Sequence, residues 1–122
     1  MSDLASLQYI LHEFVSHTPE VEGAAIVTPD GLPLAAALPK TMDEERTSAM
    51  SAAMLSLGER IGEAFARGSI ERIFVQGDHG YGVLTGCGKD AVLLTLASQD
   101  VKQGLLFLEI KKVSETIVEA LD

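Results

Sequence analysis

Apolar residues recur at helical spacing in three stretches of the chain and run together, or alternate, in the segments between them. In residues 3–16, Leu4, Leu7, Leu11 and Phe14 share one face, widened by Ile10 and Val15, and Pro19 follows. This predicts an amphipathic first helix. In residues 22–38 two short apolar runs flank Thr28, Pro29, Asp30 and Gly31, an order that suits a type I turn and signals a hairpin. Pro33 lacks a ladder donor and puts the second strand at a sheet edge. The alanines of this hairpin leave room for a helix to pack closely.

The longest helical pattern runs over 42–68, about 40 Å at helical rise. Thr41 as N-cap with Glu44 makes a capping box, and Gly68 after Arg67 is the expected stop. Turning 100° per residue sorts this helix into three stripes. Met50, Met54, Leu57, Ile61 and Phe65 form an apolar stripe, expected to bury against a sheet. Glu45, Ser56, Glu59, Arg60, Glu63 and Arg67 form a solvated stripe. Ser48, Ser51, Ala52, Leu55, Gly58, Gly62 and Ala66 form a third, nearly all small. Two interior glycines cost about 1 kcal/mol each relative to alanine. Close approach of another backbone offsets that cost, and Gly58 and Gly62 have the G-x-x-x-G spacing of close helix crossings. The third stripe is therefore expected to meet a second copy of the chain.

Beyond it, residues 70–76 read as a strand with Ile70 and Phe74 on one side and Ile73 and Val75 on the other. Glycine-bearing turns separate it from strands at 81–85 and 91–97. The last of these is almost wholly apolar, which predicts the sheet centre. Asp100, with Gln103 three residues on, opens a final helix whose buried stripe is Leu106, Ile110, Val113, Ile117 and Leu121. The order αββαβββα, with short turns between consecutive strands, predicts an α/β sandwich: a five-stranded antiparallel sheet with helices on both faces. At 122 residues it is expected to form a single domain spanning 1–122.

Charge and candidate chemistry narrow the function by exclusion. A formal charge of −9 repels phosphates and argues against nucleic acid and against an anionic membrane surface. No apolar run is long enough to span a bilayer, and no basic leader precedes the first helix. The lone Cys87 excludes an internal disulfide framework and fits a reducing, cytoplasmic compartment. Gly88-Lys89 is followed by Asp90 and leads into a strand, so the glycine-rich stretch is not a phosphate loop. His12, His17 and His79 have no metal-ligand spacing, and no nucleophile–base pairing stands out. The expectation is a non-enzymatic chain with no catalytic residue, no metal and no cofactor.

At this point a family resemblance emerges. The stretch 23–35, GAAIVTPDGLPLA, resembles the opening hairpin of the roadblock (dynein-light-chain) family. The runs GYGVLT at 80–85, VLLTLA at 92–97 and GLLFLE at 104–109 resemble the end of its bacterial stand-alone members. The resemblance implies a homodimer in which the strand after the long helix pairs with its symmetry mate and the long helices lie side by side. It also implies a regulatory or scaffold role toward a small Ras-like GTPase, of the kind played by the roadblock partner of the gliding-motility GTPase. This chain ends at the last helix without a C-terminal extension, so GTPase binding is the expectation ahead of GTPase activation.

Combining the stripes with the resemblance, the expected dimer interface is Ser51, Leu55, Gly58, Gly62, Ile73 and Val75. The expected platform for the GTPase is Glu45, Ser56, Glu59, Arg60 and Glu63. The alternative is a small-molecule-sensing or adaptor domain of related fold, which would need a cavity with convergent polar groups.

Overall fold

A computed structural model describes residues 4–122; Asp3, the first residue of the first predicted helix, lies outside them. The elements are α1 (Leu4–His17), β1 (Val21–Val27), β2 (Pro33–Ala37), α2 (Glu44–Ala64), β3 (Arg72–Gly77), β4 (Gly80–Cys87), β5 (Ala91–Ala97) and α3 (Gln103–Leu121). One five-stranded antiparallel sheet runs β2-β1-β5-β4-β3. The apolar strand β5 lies at its centre, as its unbroken hydrophobic run predicts. The Pro33 strand lies at one edge, and β3 forms the other. The Thr28–Gly31 turn closes with the Gly31 N–H donating to the Thr28 carbonyl at 2.9 Å, with Gly31 at φ +94°.

Helices α1 and α3 cover one face of the sheet. Leu7, Leu11 and Phe14 pack with Leu106, Ile110 and Ile117 over Ala24, Ile26, Leu93 and Val83. The alanines of β2 admit α1 closely, and Gln8 reaches past them to the strand edge. Helix α2 sits alone on the other face, over Ala25, Val27, Leu84, Val92 and Leu94. A single helix cannot cover five strands, so part of this face remains open.

The structure corrects both helix caps read from the sequence. Asp43, not Thr41, occupies the N-cap of α2, and Lys102, not Asp100, that of α3; neither side chain makes a capping bond. Helix α2 also ends before Gly68. The Arg67 N–H donates to the Gly62 carbonyl at 2.7 Å and the Ala66 N–H to the Glu63 carbonyl at 3.2 Å, with Ala66 at φ +55°. These are the two bonds of a Schellman stop, closed here on an alanine. Strand β3 begins at Arg72, so Ile70 precedes it and lies beneath α2 instead of alternating within the strand.

Candidate functional site: an interaction surface

The face of α2 that meets the sheet is the small stripe, not the large apolar one. Ser48 and Ser51 are 0% and 2% exposed, and Gly62 is buried. The Ser48 and Ser51 hydroxyls donate to the Glu44 and Thr47 carbonyls one turn back, which satisfies them inside the helix. A Cβ at Gly62 would stand 2.6 Å from Cδ1 of Ile70 and 2.9 Å from the Gly68 carbonyl oxygen; one at Gly58 would collide with Ile73. The close approach that offsets the two glycines is therefore within the chain, to β3 at Gly58 and to the segment leading into β3 at Gly62. Leu55 and Ile73 are half-buried in the same core.

The expectation that Met50, Met54, Leu57, Ile61 and Phe65 bury against the sheet is thereby overturned. Only Met54 packs partly into the core. Met50 is 61% exposed, Leu57 57%, Ile61 48% and Phe65 67%. Met50, Leu57 and Ile61 lie along one flank of α2, with Phe65 at its C-cap, at spacings of seven, four and four residues, or about two, one and one helical turns. The reason is geometric. A helix lying tight on a sheet needs small side chains beneath it, so bulk is displaced to the side.

On β3, Val75 shares the α2 side of the sheet with Ile73 and is 50% exposed. The two sheet edges differ sharply. On β2, Pro33 has no N–H, and the Gln8 amide grips Ala36 from both sides: Nε2 donates to the Ala36 carbonyl at 2.7 Å, and the Ala36 N–H donates to Oε1 at 3.1 Å. Among the described residues no side chain does the same for β3, whose outer backbone groups remain open. An edge strand in that state is a template for pairing with another chain.

The expected platform residues Glu45, Ser56, Glu59, Arg60 and Glu63 are all exposed. They do not form one cluster. Ser56 and Glu59 border a groove between α2 and the sheet that also takes in Glu71 and Lys89, and Glu59 and Glu63 flank Ser69 and Ile70. Glu45 stands about 21 Å from Glu59 along the helix, fourteen residues at 1.5 Å each.

Reactive chemistry is sparse. Cys87 is buried, and burial pushes its thiol above the ordinary value, against smaller downward pulls from the Ser114 hydroxyl and the Leu93 backbone. His17 lies 3.1 Å from the Glu13 carbonyl oxygen and 3.5 Å from its carboxylate on the surface of α1. Among the described residues no cluster of His, Cys, Asp and Glu is placed to hold a metal, and no helix is long and apolar enough to cross a membrane. The arrangement is equipped to bind through backbone edge and apolar ridge. The ridge is the feature that sequence reasoning misplaced. Its signal was present in the adjoining small stripe, which already provided a sheet-facing side.

The model of the Roadblock/LC7 domain matches residues 7–97, well over half of the chain, so the chain belongs to the Roadblock/LC7 family. The uncharacterized protein MJ1340 of Methanocaldococcus jannaschii is 29% identical over 103 residues, covering 84% of this chain and 90% of that protein. Among solved structures, Myxococcus xanthus MglB superposes with a TM-score of 0.90 at 15% identity, covering 99% of this chain and 91% of that one. The Roadblock/LC7 domain from Streptomyces avermitilis gives 0.88 at 20% identity, covering 95% and 98%. MglB in a tetrameric arrangement gives 0.80 at 15%, covering 92% and 85%. These likenesses fix the fold as the roadblock sandwich.

Proposed function

We propose that this chain is a non-enzymatic, cytoplasmic regulatory or scaffold module that forms a homodimer and offers the paired α2 helices to a small Ras-like GTPase. The observation that carries the reading is the exposed ridge Met50, Leu57, Ile61 and Phe65, together with the open edge of β3. Gly58 of α2 packs on Ile73 of β3, and Val75, two residues on, shares that face of the sheet. A two-fold pairing of β3 with its mate would continue the sheet to ten strands and bring the two ridges together, the same patch meeting itself. Such a surface, left bare on a monomer, marks an interface.

The seam differs in residues from the one expected from sequence. Ser51, Gly58 and Gly62 serve the protomer's own sheet, and Leu55 and Ile73 are partly used by it. Met50, Leu57, Ile61 and Phe65 take their place beside Val75, which both seams share. A relative of the same fold that assembles into a tetrameric arrangement is consistent with copy-to-copy contact in this family. The polar flank of α2, with Ser56, Glu59, Arg60 and Glu63, then borders the platform for the GTPase, with Glu45 at its far end.

The test is binding of a small Ras-like GTPase from the same genome, loaded with a non-hydrolysable GTP analogue and titrated by calorimetry. Binding by the wild type and its loss in Glu59→Lys/Glu63→Lys support the platform. No binding by a wild-type dimer to any such GTPase of the genome overturns it.

A further inference from the structure

Strand β3 turns into β4 through a two-residue loop, Asp78 and His79, closed by the pair Gly77 and Gly80. A loop this short makes the closing pair exchange hydrogen bonds, and the pairs of an antiparallel ladder alternate from there. Val75 and Ile73 therefore bond to Gly82 and Leu84, while the N–H and C=O groups of Arg72, Phe74 and Gln76 point out of the sheet edge.

The side chains of this edge form a near-palindrome about Phe74: long polar, β-branched apolar, aromatic, β-branched apolar, long polar. Ile73 packs under α2, and Val75 shares its face. Phe74 lies on the opposite face, its ring stacked on Tyr81 with centroids 5.1 Å apart and edge-on to Phe107 at 5.6 Å. On the same face the Arg72 guanidinium lies 4.2 Å from the centroid of the Phe107 ring.

We infer that in the homodimer proposed above, on which this rests, the two β3 strands pair with the two-fold axis at Phe74. Arg72 then faces the partner's Gln76, Ile73 the partner's Val75, and Phe74 the partner's Phe74. Every outward N–H and C=O of Arg72, Phe74 and Gln76 gains a hydrogen bond. On the α2 face each Ile73 meets a Val75, two apolar β-branched side chains. On the other face the paired Phe74 rings join the aromatic clusters of both protomers into one.

Moving the axis by one residue undoes this match. An axis at Val75 sets Ile73 against Gly77 and carries Arg72 past the end of the strand to Asp78. An axis at Ile73 sets Val75 against Glu71 and Gln76 against Ile70, both of which precede the strand. Either shift loses an apolar pair on the α2 face and leaves outward backbone groups without a strand opposite them.

The test places single cysteines on a Cys87→Ala background and oxidises the folded dimer. Directly opposed residues of a non-hydrogen-bonded pair have Cα atoms about 4.5 Å apart, and diagonal neighbours about 7–8 Å. A disulfide does not span more than about 7 Å. Ile73→Cys and Val75→Cys refolded together are expected to give a disulfide-linked dimer on a non-reducing gel, and neither variant alone. Because Ile73 packs against α2, Arg72→Cys with Gln76→Cys, both at exposed positions, supplies a second pair with the same expectation. Cross-linking of Val75→Cys alone or of Ile73→Cys alone overturns the axis at Phe74, as does a wild type that sediments as a dimer while neither mixture cross-links; the homodimer stands in each case. A wild type that sediments as a monomer overturns the homodimer itself, and the axis with it.

Discussion

Ile73 fills the space that a side chain at Gly58 would need. This contact decides which face of α2 belongs to the protomer and which is left for a partner. One turn on, Gly62 stands in the same relation to Ile70, but with the Gly68 carbonyl oxygen also at hand. The two glycines therefore differ in tolerance. Alanine raises helix propensity by about 1 kcal/mol at either site. At Gly58 the obstacle is the far end of a flexible isoleucine, which can turn aside. At Gly62 it includes backbone. Gly62→Ala is expected to destabilise by about 1–3 kcal/mol, the range for overpacking, and Gly58→Ala by less than Gly62→Ala. Urea midpoints at unchanged slope check the order.

Gln8 closes the β2 edge through its paired bonds to Ala36. Because the site is exposed, water replaces much of what Gln8→Ala removes, and the stability loss is expected to be about 1 kcal/mol. The larger effect is on association. With Ala36 uncovered, the chain has two open edges in place of one, and species larger than the dimer are expected to appear by light scattering. An unchanged size distribution would show that Gln8 does not guard the edge.

The Cys87 thiol sits at the end of β4, buried under α3, with its pKa raised by burial. The native state therefore holds the proton more tightly than the unfolded chain. The associated stability is present below the ordinary thiol value of 9.0 and is lost as pH rises through the higher native value. The melting temperature of the wild type is expected to fall above that pH relative to Cys87→Ala, with parallel curves below it. In native conditions the thiol should react with Ellman's reagent only slowly, at the rate of opening.

Much of the fold was legible because each signal was local. Pro33 placed β2 at an edge, the apolar run at 91–97 placed β5 at the centre, and the periodicity of Leu7 to Phe14 and of Leu106 to Leu121 gave α1 and α3 their buried faces, although Leu4, expected on the same face of α1, is 59% exposed at its start. Local signals also misled. Thr41 and Asp100 have capping chemistry, yet the helices start at Glu44 and Gln103, after local turns in which the Met42 N–H donates to the Pro39 carbonyl and the Val101 N–H to the Ser98 carbonyl. The stripes of α2 were separated correctly and assigned to the wrong surroundings. Hydrophobicity alone favours burial of Met50, Leu57, Ile61 and Phe65. Distance between helix and sheet favours Ser48, Ser51, Gly58 and Gly62, and distance wins, because a close crossing has no room for large side chains.

The dimer is the claim on which the functional reading turns, and sedimentation equilibrium tests it most directly. At micromolar concentration the wild type is expected to sediment as a dimer, with a standard interface burying ~1,600 Å² in total. Leu57→Glu/Ile61→Glu, which changes only exposed ridge positions, is expected to give a folded monomer. A wild type that sediments as a monomer, or a dimer untouched by the two charges, would contradict the assignment of the ridge and the β3 edge as the seam.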